Sequence, residues 1–111
     1  MELREERLDA VTALAVHGRL DSAAAPALGE RLEAAMADPG SRLVLDFGRL
    51  DYISSVGFRV LLVAAKAAES DGRRLVLCGL TGSVRRLFEI GGFLDLFTIA
   101  HSRDEAIARA R

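Results

Sequence analysis

The stretch that decides the fold joins a buried strand to a helix, and it reads Asp51-Tyr52-Ile53-Ser54-Ser55-Val56-Gly57-Phe58-Arg59. Upstream, residues 43–47 form a short and largely apolar run that predicts a strand. Downstream, apolar side chains recur at helical spacing, at Phe58, Leu61, Leu62, Ala65 and Ala68. Two serine hydroxyls therefore stand where a helix begins, with a glycine just inside it.

A serine at the start of a helix has two possible roles. In the first, its oxygen caps the helix by accepting a hydrogen bond from an otherwise unpaired backbone N–H. In the second, the position carries a phosphate, because free N–H groups and the positive end of the helix dipole favour an anion there. A cap needs one hydroxyl, whereas this chain offers both Ser54 and Ser55. The local sequence leaves both roles open.

The composition fits one domain that spans residues 1–111. Half of the 111 residues are hydrophobic, which is enough for a continuous core without covalent cross-links. Cys78 is the only cysteine, which excludes an internal disulfide and a metal site made of several thiolates. Since Cys78 lies within an apolar run, we interpret it as a small buried hydrophobic residue.

The charges and the apolar runs disfavour two classes of partner. Fifteen basic residues against sixteen acidic ones give a net charge of −1, and no basic block stands out, so nucleic acid is not an expected partner. No apolar run approaches the roughly 20 residues that span a bilayer. The charged N-terminal residues do not resemble a signal peptide. We therefore expect a cytoplasmic protein that does not insert directly into a membrane.

A serine hydrolase finds little support in the sequence. The usual nucleophile motif places a glycine two residues before the serine, whereas Ile53 stands two residues before Ser55. Such an enzyme also needs a histidine base held near the serine. The chain has two histidines, His17 and His101, and neither belongs to a recognisable motif.

Nucleotide and metal sites are also disfavoured. The glycine-rich residues 79–83 open a predicted helix, but they lack the lysine and the spacing of a P-loop. We therefore expect Thr81 or Ser83 to be an ordinary helix cap. Asp46 and Asp51 are the only carboxylates near the two serines, and without a histidine they are too few for a metal site.

Strands and helices alternate along the chain. Besides residues 43–47, strands are expected at residues 3–6, 11–17, 74–78 and 96–99. Helices are expected from Asp21 or Ser22 to the stop at residues 38–40, from the serine pair to about Ser70, over residues 83–90, and after a capping box at Ser102. Continuously apolar strands indicate a sheet that is covered on both faces, and the alternation with helices predicts an α/β fold.

Several motifs, taken in order, resemble those of STAS domains, the family of anti-sigma factor antagonists. Residues 18–21 resemble the Gly-x-Leu-Asp loop of that family, and residues 45–57 resemble its central signature. Residues 75–92 resemble its third segment. The resemblance covers essentially the whole chain. It implies a STAS-like single domain, in which a small mixed sheet of about four or five strands carries about four α-helices.

The resemblance also implies a function without catalysis, cofactor or metal of its own. In family members, the serine that matches Ser55 is phosphorylated by a serine kinase that is also the anti-sigma factor. The unmodified protein binds this kinase and displaces the sigma factor, and a PP2C-type phosphatase resets the switch. The kinase brings the ATP and the magnesium. A non-switching scaffold subunit of a signalling or lipid-transport complex is the alternative within the family.

One departure from the family pattern bears on the site. Many members carry an aspartate before the phosphorylated serine, and this chain has Ser54 there, so Ser54 is the alternative phosphorylation site. Asp21 is by resemblance a loop acid near the site, and by local chemistry a cap of the first helix. Arg59 is either a partner contact or a solvated residue. The expected partner-binding residues are Asp21, Ser54, Ser55, Val56, Gly57 and Arg59.

Overall fold

The computed structural model describes residues 1–80 and 82–111. Within these ranges, six strands form one mixed sheet that carries four α-helices. The strands are β1 (Glu2–Leu8), β2 (Val11–Leu20), β3 (Arg42–Asp46), β4 (Leu50–Ile53), β5 (Leu75–Cys78) and β6 (Thr98–Ile99). The helices are α1 (Ala25–Met36), α2 (Ser55–Ser70), α3 (Gly82–Gly91) and α4 (Arg103–Ala110). The predicted α/β fold with a small mixed sheet is confirmed.

The long strand β2 organises the sheet. The strand order is β1-β2-β3-β5-β6, with β1 antiparallel to β2 and the other pairs parallel. On the side away from β1, the first half of β2 pairs with β3 and its last residues pair with β4. The register shifts between Gly18 and Arg19, and Gly18 has a φ of +91°, which glycine adopts without steric strain. This bulge lets one strand serve two neighbours.

Both faces of the central strands β3 and β5 are buried, which explains their continuous apolar runs. Leu45 and Leu77 belong to a large core that α1, α2 and α3 cover. The alternate residues Val44 and Val76 face the other way, into a smaller core that includes Ala106 of α4. Because successive side chains of a strand point to opposite faces, the buried residues of these strands, 43–45 and 75–78, all have apolar side chains. The prediction of a sheet covered on both faces is confirmed for β3 and β5, whereas the edge strand β1 is largely exposed.

Three strand predictions need correction. β2 was expected to break at Gly18, but it continues to Leu20 because the bulge redirects it toward β4. β4 itself was not predicted, since it contributes only four residues and follows β3 after a short turn. The last strand was expected over residues 96–99, whereas Leu96 ends a short 3-10 turn and only Thr98–Ile99 pair with β5.

Two predicted helix caps have different outcomes. Ser102 caps α4 as predicted, since its Oγ accepts a hydrogen bond from the N–H of Glu105 at 3.1 Å. Ser83 does not cap α3, because it lies inside the helix and its hydroxyl donates to the backbone oxygen of Asp51 at 3.3 Å. This hydrogen bond ties the start of α3 to β4. The other expected cap, Thr81, lies outside the described residues.

Cys78 is buried at the end of β5, with 1% of its surface exposed. Burial raises the pKa of its thiol to about 11, and the neighbouring carboxylate of Asp46 adds to the increase. The thiol is therefore protonated at neutral pH and is a poor nucleophile. The interpretation of Cys78 as a small buried hydrophobic residue is confirmed.

Arg73, which follows α2, is a buried charged residue that the sequence did not single out. Its two terminal nitrogens donate hydrogen bonds to the backbone oxygens of Met36 and Asp38, to Ser41, and to the carboxylate of Asp71. The side chain thereby joins the end of α1 and the start of β3 to the turn between α2 and β5. Arg73 lies at the opposite end of α2 from the two serines.

Candidate partner-binding site

Two segments of the chain leave the sheet side by side. Leu20 and Ile53 are the last paired residues of β2 and β4. The next N–H, that of Ser54, donates to the backbone oxygen of Leu20 at 2.9 Å. Asp21 and Ser54 therefore emerge next to each other. The pairing of β2 with β4 thus brings together two sequence motifs that lie far apart along the chain.

Ser54 is the N-cap of α2. Its Oγ accepts a hydrogen bond from the N–H of Gly57 at 3.1 Å, and its carbonyl accepts one from Phe58 at 3.0 Å. Only 7% of its surface is exposed. The capping role that the local sequence allowed for either serine therefore belongs to Ser54.

Ser55 is the first residue of α2, and its surroundings differ from those of Ser54. It is exposed, and its hydroxyl makes no hydrogen bond to any residue that the structure describes. The N–H groups of Ser55 and Val56 have no partner within the helix, because the first N–H groups of a helix never do. A hydroxyl that is open to a partner thus stands where the helix favours negative charge.

Gly57 allows α2 to begin close to the sheet. A Cβ at this position would lie 2.9 Å from Cγ of Leu20 and 3.0 Å from Cγ2 of Ile53. Both contacts are shorter than ordinary van der Waals distances, and both neighbours are fully packed in the core. Gly57 is buried. A side chain larger than the hydrogen of glycine would therefore collide with the strand ends.

Asp21 closes the turn that leads into α1. Its Oδ1 accepts a hydrogen bond from the N–H of Ala24 at 2.8 Å, and its carbonyl accepts one from Ala25 at 3.0 Å. The side chain is half-buried. Ser22 is exposed and does not cap the helix, whose N-cap is Ala24 without a side-chain bond. Of the two residues that were expected to cap α1, Ser22 does not, and Asp21 caps the turn that precedes the helix.

An exposed apolar surface continues from Ser55 along α2. Val56 is 38% exposed and Val63 is 64% exposed. Arg59 is exposed between them. Arg59, Val60 and Val63 line one side of an open groove of about 630 Å³ between α1 and α2. This groove and the start of α2 form one continuous surface.

Arg19 and Tyr52 form a stacked pair where the end of β2 meets β4. The guanidinium of Arg19 lies 4.4 Å from the ring centre of Tyr52, its neighbour across β2 and β4. Such a cation–π contact stabilises an exposed pair by about 0.5–1 kcal/mol. This pair was not predicted, because β4 was not predicted. Had β4 been recognised, its pairing with the end of β2 would have placed the two side chains together.

Both histidines of the chain, His17 and His101, lie within the described residues. His17 approaches Glu2 of β1, with 3.4 Å between Nδ1 and Oε1, and no hydrogen bond joins either histidine to Ser55. Among the described residues, no group of three potential metal-ligating side chains is found. Within the same ranges, no helix is both long enough and apolar enough to cross a membrane.

The comparison with known families is decisive, since residues 3–106 match the model of the STAS domain. The chain belongs to the STAS domain family. It is 46% identical over 109 residues to BtrV of Bordetella bronchiseptica, a proposed anti-sigma factor antagonist, covering 97% of this chain and 93% of BtrV. It is 32% identical over 105 residues to the anti-sigma-B factor antagonist of Listeria monocytogenes, covering 95% of this chain and 91% of that protein.

The solved structures show the same fold. The Bacillus cell fate determinant SpoIIAA in its phosphorylated form superposes with a TM-score of 0.74 at 21% identity, covering 99% of this chain and all of that one. The match of residues 3–106 to the STAS domain model confirms the family that the sequence motifs resembled. STAS domains named as anti-sigma factor antagonists are regulatory binding proteins.

The two serines of this STAS domain are expected to contribute differently to stability. Replacing Ser54 with alanine removes a buried cap and should lower the free energy of unfolding by about 1 kcal/mol. Replacing Ser55, which makes no hydrogen bond, should change it by less than about 0.5 kcal/mol. Urea unfolding of the two variants, which differ by one position, measures both effects. Equal destabilisation would contradict the division of roles.

Proposed function

We propose that this STAS domain is an anti-sigma factor antagonist that acts as a single domain in the cytoplasm. Its partner is an anti-sigma factor that is also a serine kinase, and phosphorylation of Ser55 releases that partner. A PP2C-type phosphatase restores the binding form. The names of the relatives BtrV and the Listeria protein support the binding function. The phosphorylated form of SpoIIAA supports the switch.

The observation that carries this proposal is the division of labour between two adjacent serines. The hydroxyl of Ser54 is buried and bonded to the N–H of Gly57. The hydroxyl of Ser55 is exposed on the first turn of α2. A kinase that approaches from solvent reaches Ser55 without disturbing the helix, whereas phosphorylation of Ser54 would break its cap. The site therefore favours Ser55 over Ser54.

Electrostatics favours release of the partner over unfolding of the domain. A phosphate adds about −1.5 to −2 charges at neutral pH. In the free domain, the start of α2 offsets part of this charge, by up to ~2 kcal/mol. In a docked complex the same group loses its water, which costs several kcal/mol when no partner charge compensates. Because this loss of hydration outweighs the stabilisation by the helix, the modified domain stays folded and the complex dissociates.

The proposed contact surface follows from exposure. Ser55, Val56 and Arg59 are exposed and would touch the partner, and Asp21 flanks them. Ser54 and Gly57, which the resemblance also suggested, are buried, so we assign them the role of holding the start of α2 in place. The protein performs no chemistry in this scheme and needs no cofactor.

Intact-mass and fragment-ion analysis of the protein from its native cells tests the switch. We expect a single phosphate on Ser55, and none in a Ser55→Ala strain. Phosphate on Ser54 would overturn the assignment of the residue. The absence of phosphate with the phosphatase deleted, together with partner binding that is indifferent to Ser55, would instead favour a non-switching scaffold subunit.

A further inference from the structure

Arg59 stands one helical turn after Ser55 on the same face of α2. Side chains four residues apart on a helix have Cβ atoms about 5–6 Å from each other, within reach of an arginine. Both residues are exposed. In the part of the chain that the structure describes, the guanidinium of Arg59 forms neither an ion pair nor a hydrogen bond.

We propose that Arg59 is the intramolecular receptor of the phosphate on Ser55, so that phosphorylation also withdraws this cation from the partner. The inference rests on the proposed phosphorylation of Ser55. In the unmodified protein, Arg59 is offered to an acidic group of the partner. In the modified protein, it is occupied by the phosphate of its own chain.

Helix geometry favours this pair. An anionic group placed four residues before a cationic one is the better orientation, because each charge then also matches its end of the helix dipole. A guanidinium binds phosphate oxygens through two parallel hydrogen bonds, which a lysine does not reproduce. Phosphate on the first turn and arginine on the second therefore meet without rearrangement of the backbone.

Few neighbouring charges compete for Arg59. Three carboxylates line the same groove as Arg59, those of Glu30, Glu33 and Asp71, and Asp71 is already paired with Arg73. Asp21 already accepts a hydrogen bond from the N–H of Ala24. Asp51 is exposed at the start of the serine motif, and Arg19 is stacked on Tyr52. The phosphate itself carries close to two negative charges, so it binds Arg59 more strongly than any one of these carboxylates does.

The pairing changes the docking surface in two ways at once. Phosphorylation adds negative charge at Ser55, and it turns Arg59 back toward the start of α2. Arg59 lies beside Val60 and Val63 on the rim of the groove between α1 and α2. The surface thus loses its cation at the point where the apolar groove begins. If the partner places an acidic residue there, the added phosphate and the loss of Arg59 together weaken its binding more than the phosphate alone would.

Phosphorus NMR titration of protein carrying genetically encoded phosphoserine at position 55 tests the capture directly. Arg59 favours the dianion, so Arg59→Gln should raise the second pKa of the phosphate, ordinarily near 6, by about half a unit. The matched control is Lys66→Gln, which removes a cation from the exposed side of α2 about three turns from Ser55 and should leave the pKa unchanged. Equal pKa values with and without Arg59 at low salt would overturn the capture.

Binding of the anti-sigma factor tests the withdrawal. Arg59→Gln should weaken binding of the unmodified protein by about threefold or more, and phosphorylation should then weaken it by a smaller factor than in the parent. If the effects of Arg59→Gln and of phosphorylation on the binding free energy were additive, the withdrawal of Arg59 from the partner would be refuted. The NMR experiment needs neither kinase nor partner. If Arg59→Gln raised the pKa of the phosphate as expected but phosphorylation left partner binding unchanged, the result would count against the proposed function and not against the capture of the phosphate by Arg59.

Discussion

The Ser55→Asp protein is expected to fold as stably as its parent and to bind the anti-sigma factor at least a hundredfold more weakly. A hundredfold loss corresponds to about 2.7 kcal/mol, which is less than the expected penalty for burying an uncompensated carboxylate in an interface. The same carboxylate on the first turn of α2 is favourable in the free domain, because it faces the positive end of the helix. Calorimetric titration measures the affinity, and thermal unfolding measures the stability.

Two control variants separate charge from shape. Ser55→Ala removes the hydroxyl without adding charge, and it should bind the partner as tightly as the parent and in a form that the kinase cannot switch off. Ser70→Asp adds the same charge at the exposed far end of α2, and it should leave the affinity unchanged. If Ser55→Asp bound as tightly as the parent, the electrostatic switch would be refuted. Weak binding by Ser55→Ala would show that the hydroxyl of Ser55 itself contacts the partner.

Local sequence patterns predicted much of this fold because they act within one element. The apolar runs around Val44 and Val76 predicted strands that are buried on both faces, and the structure confirms this. The helix that starts at the serine pair was predicted to end near Ser70, where α2 ends. In each case the deciding interaction lies within a few residues along the chain.

Features that depend on pairing between distant segments could not be predicted in this way. β4 exists because the bulge at Gly18 carries β2 across to it, and no pattern within residues 50–53 reveals that partner. The two serines are chemically alike in sequence. They differ in the structure because the N–H of Ser54 bonds to Leu20, which draws Ser54 inward and leaves Ser55 at the surface. The contacts of Arg73 are of the same kind, since they join segments more than thirty residues apart.

Arg73→Ala is expected to be among the most destabilising single substitutions in this protein. Only 7% of Arg73 is exposed, and its nitrogens lie 2.9 Å from the backbone oxygen of Asp38 and 3.1 Å from that of Met36. Removing the side chain leaves the carbonyl of Met36 without its donor, at about 1–3 kcal/mol for an unsatisfied group, whereas the carbonyl of Asp38 keeps its hydrogen bonds from Ser41. The substitution also removes the hydrogen bonds to Ser41 and leaves a cavity where the buried side chain packed. We expect the free energy of unfolding to fall by about 3 kcal/mol, and the midpoint of thermal unfolding to fall by about 12 °C or more.

The neighbouring residue provides a matched control. Arg74 carries the same charge but is exposed and makes no hydrogen bond or ion pair within the described residues, so Arg74→Ala should change the free energy of unfolding by less than about 0.5 kcal/mol. Similar unfolding midpoints for Arg73→Ala and Arg74→Ala would show that the buried hydrogen bonds contribute little. Arg73 lines only the far end of the groove between α1 and α2, at the end of α2 away from Ser55. The Arg73→Ala protein should therefore still bind the anti-sigma factor through the first turns of α2 at temperatures where it remains folded. Such a result would show that Arg73 stabilises the fold without taking part in the surface around Ser55 that phosphorylation controls.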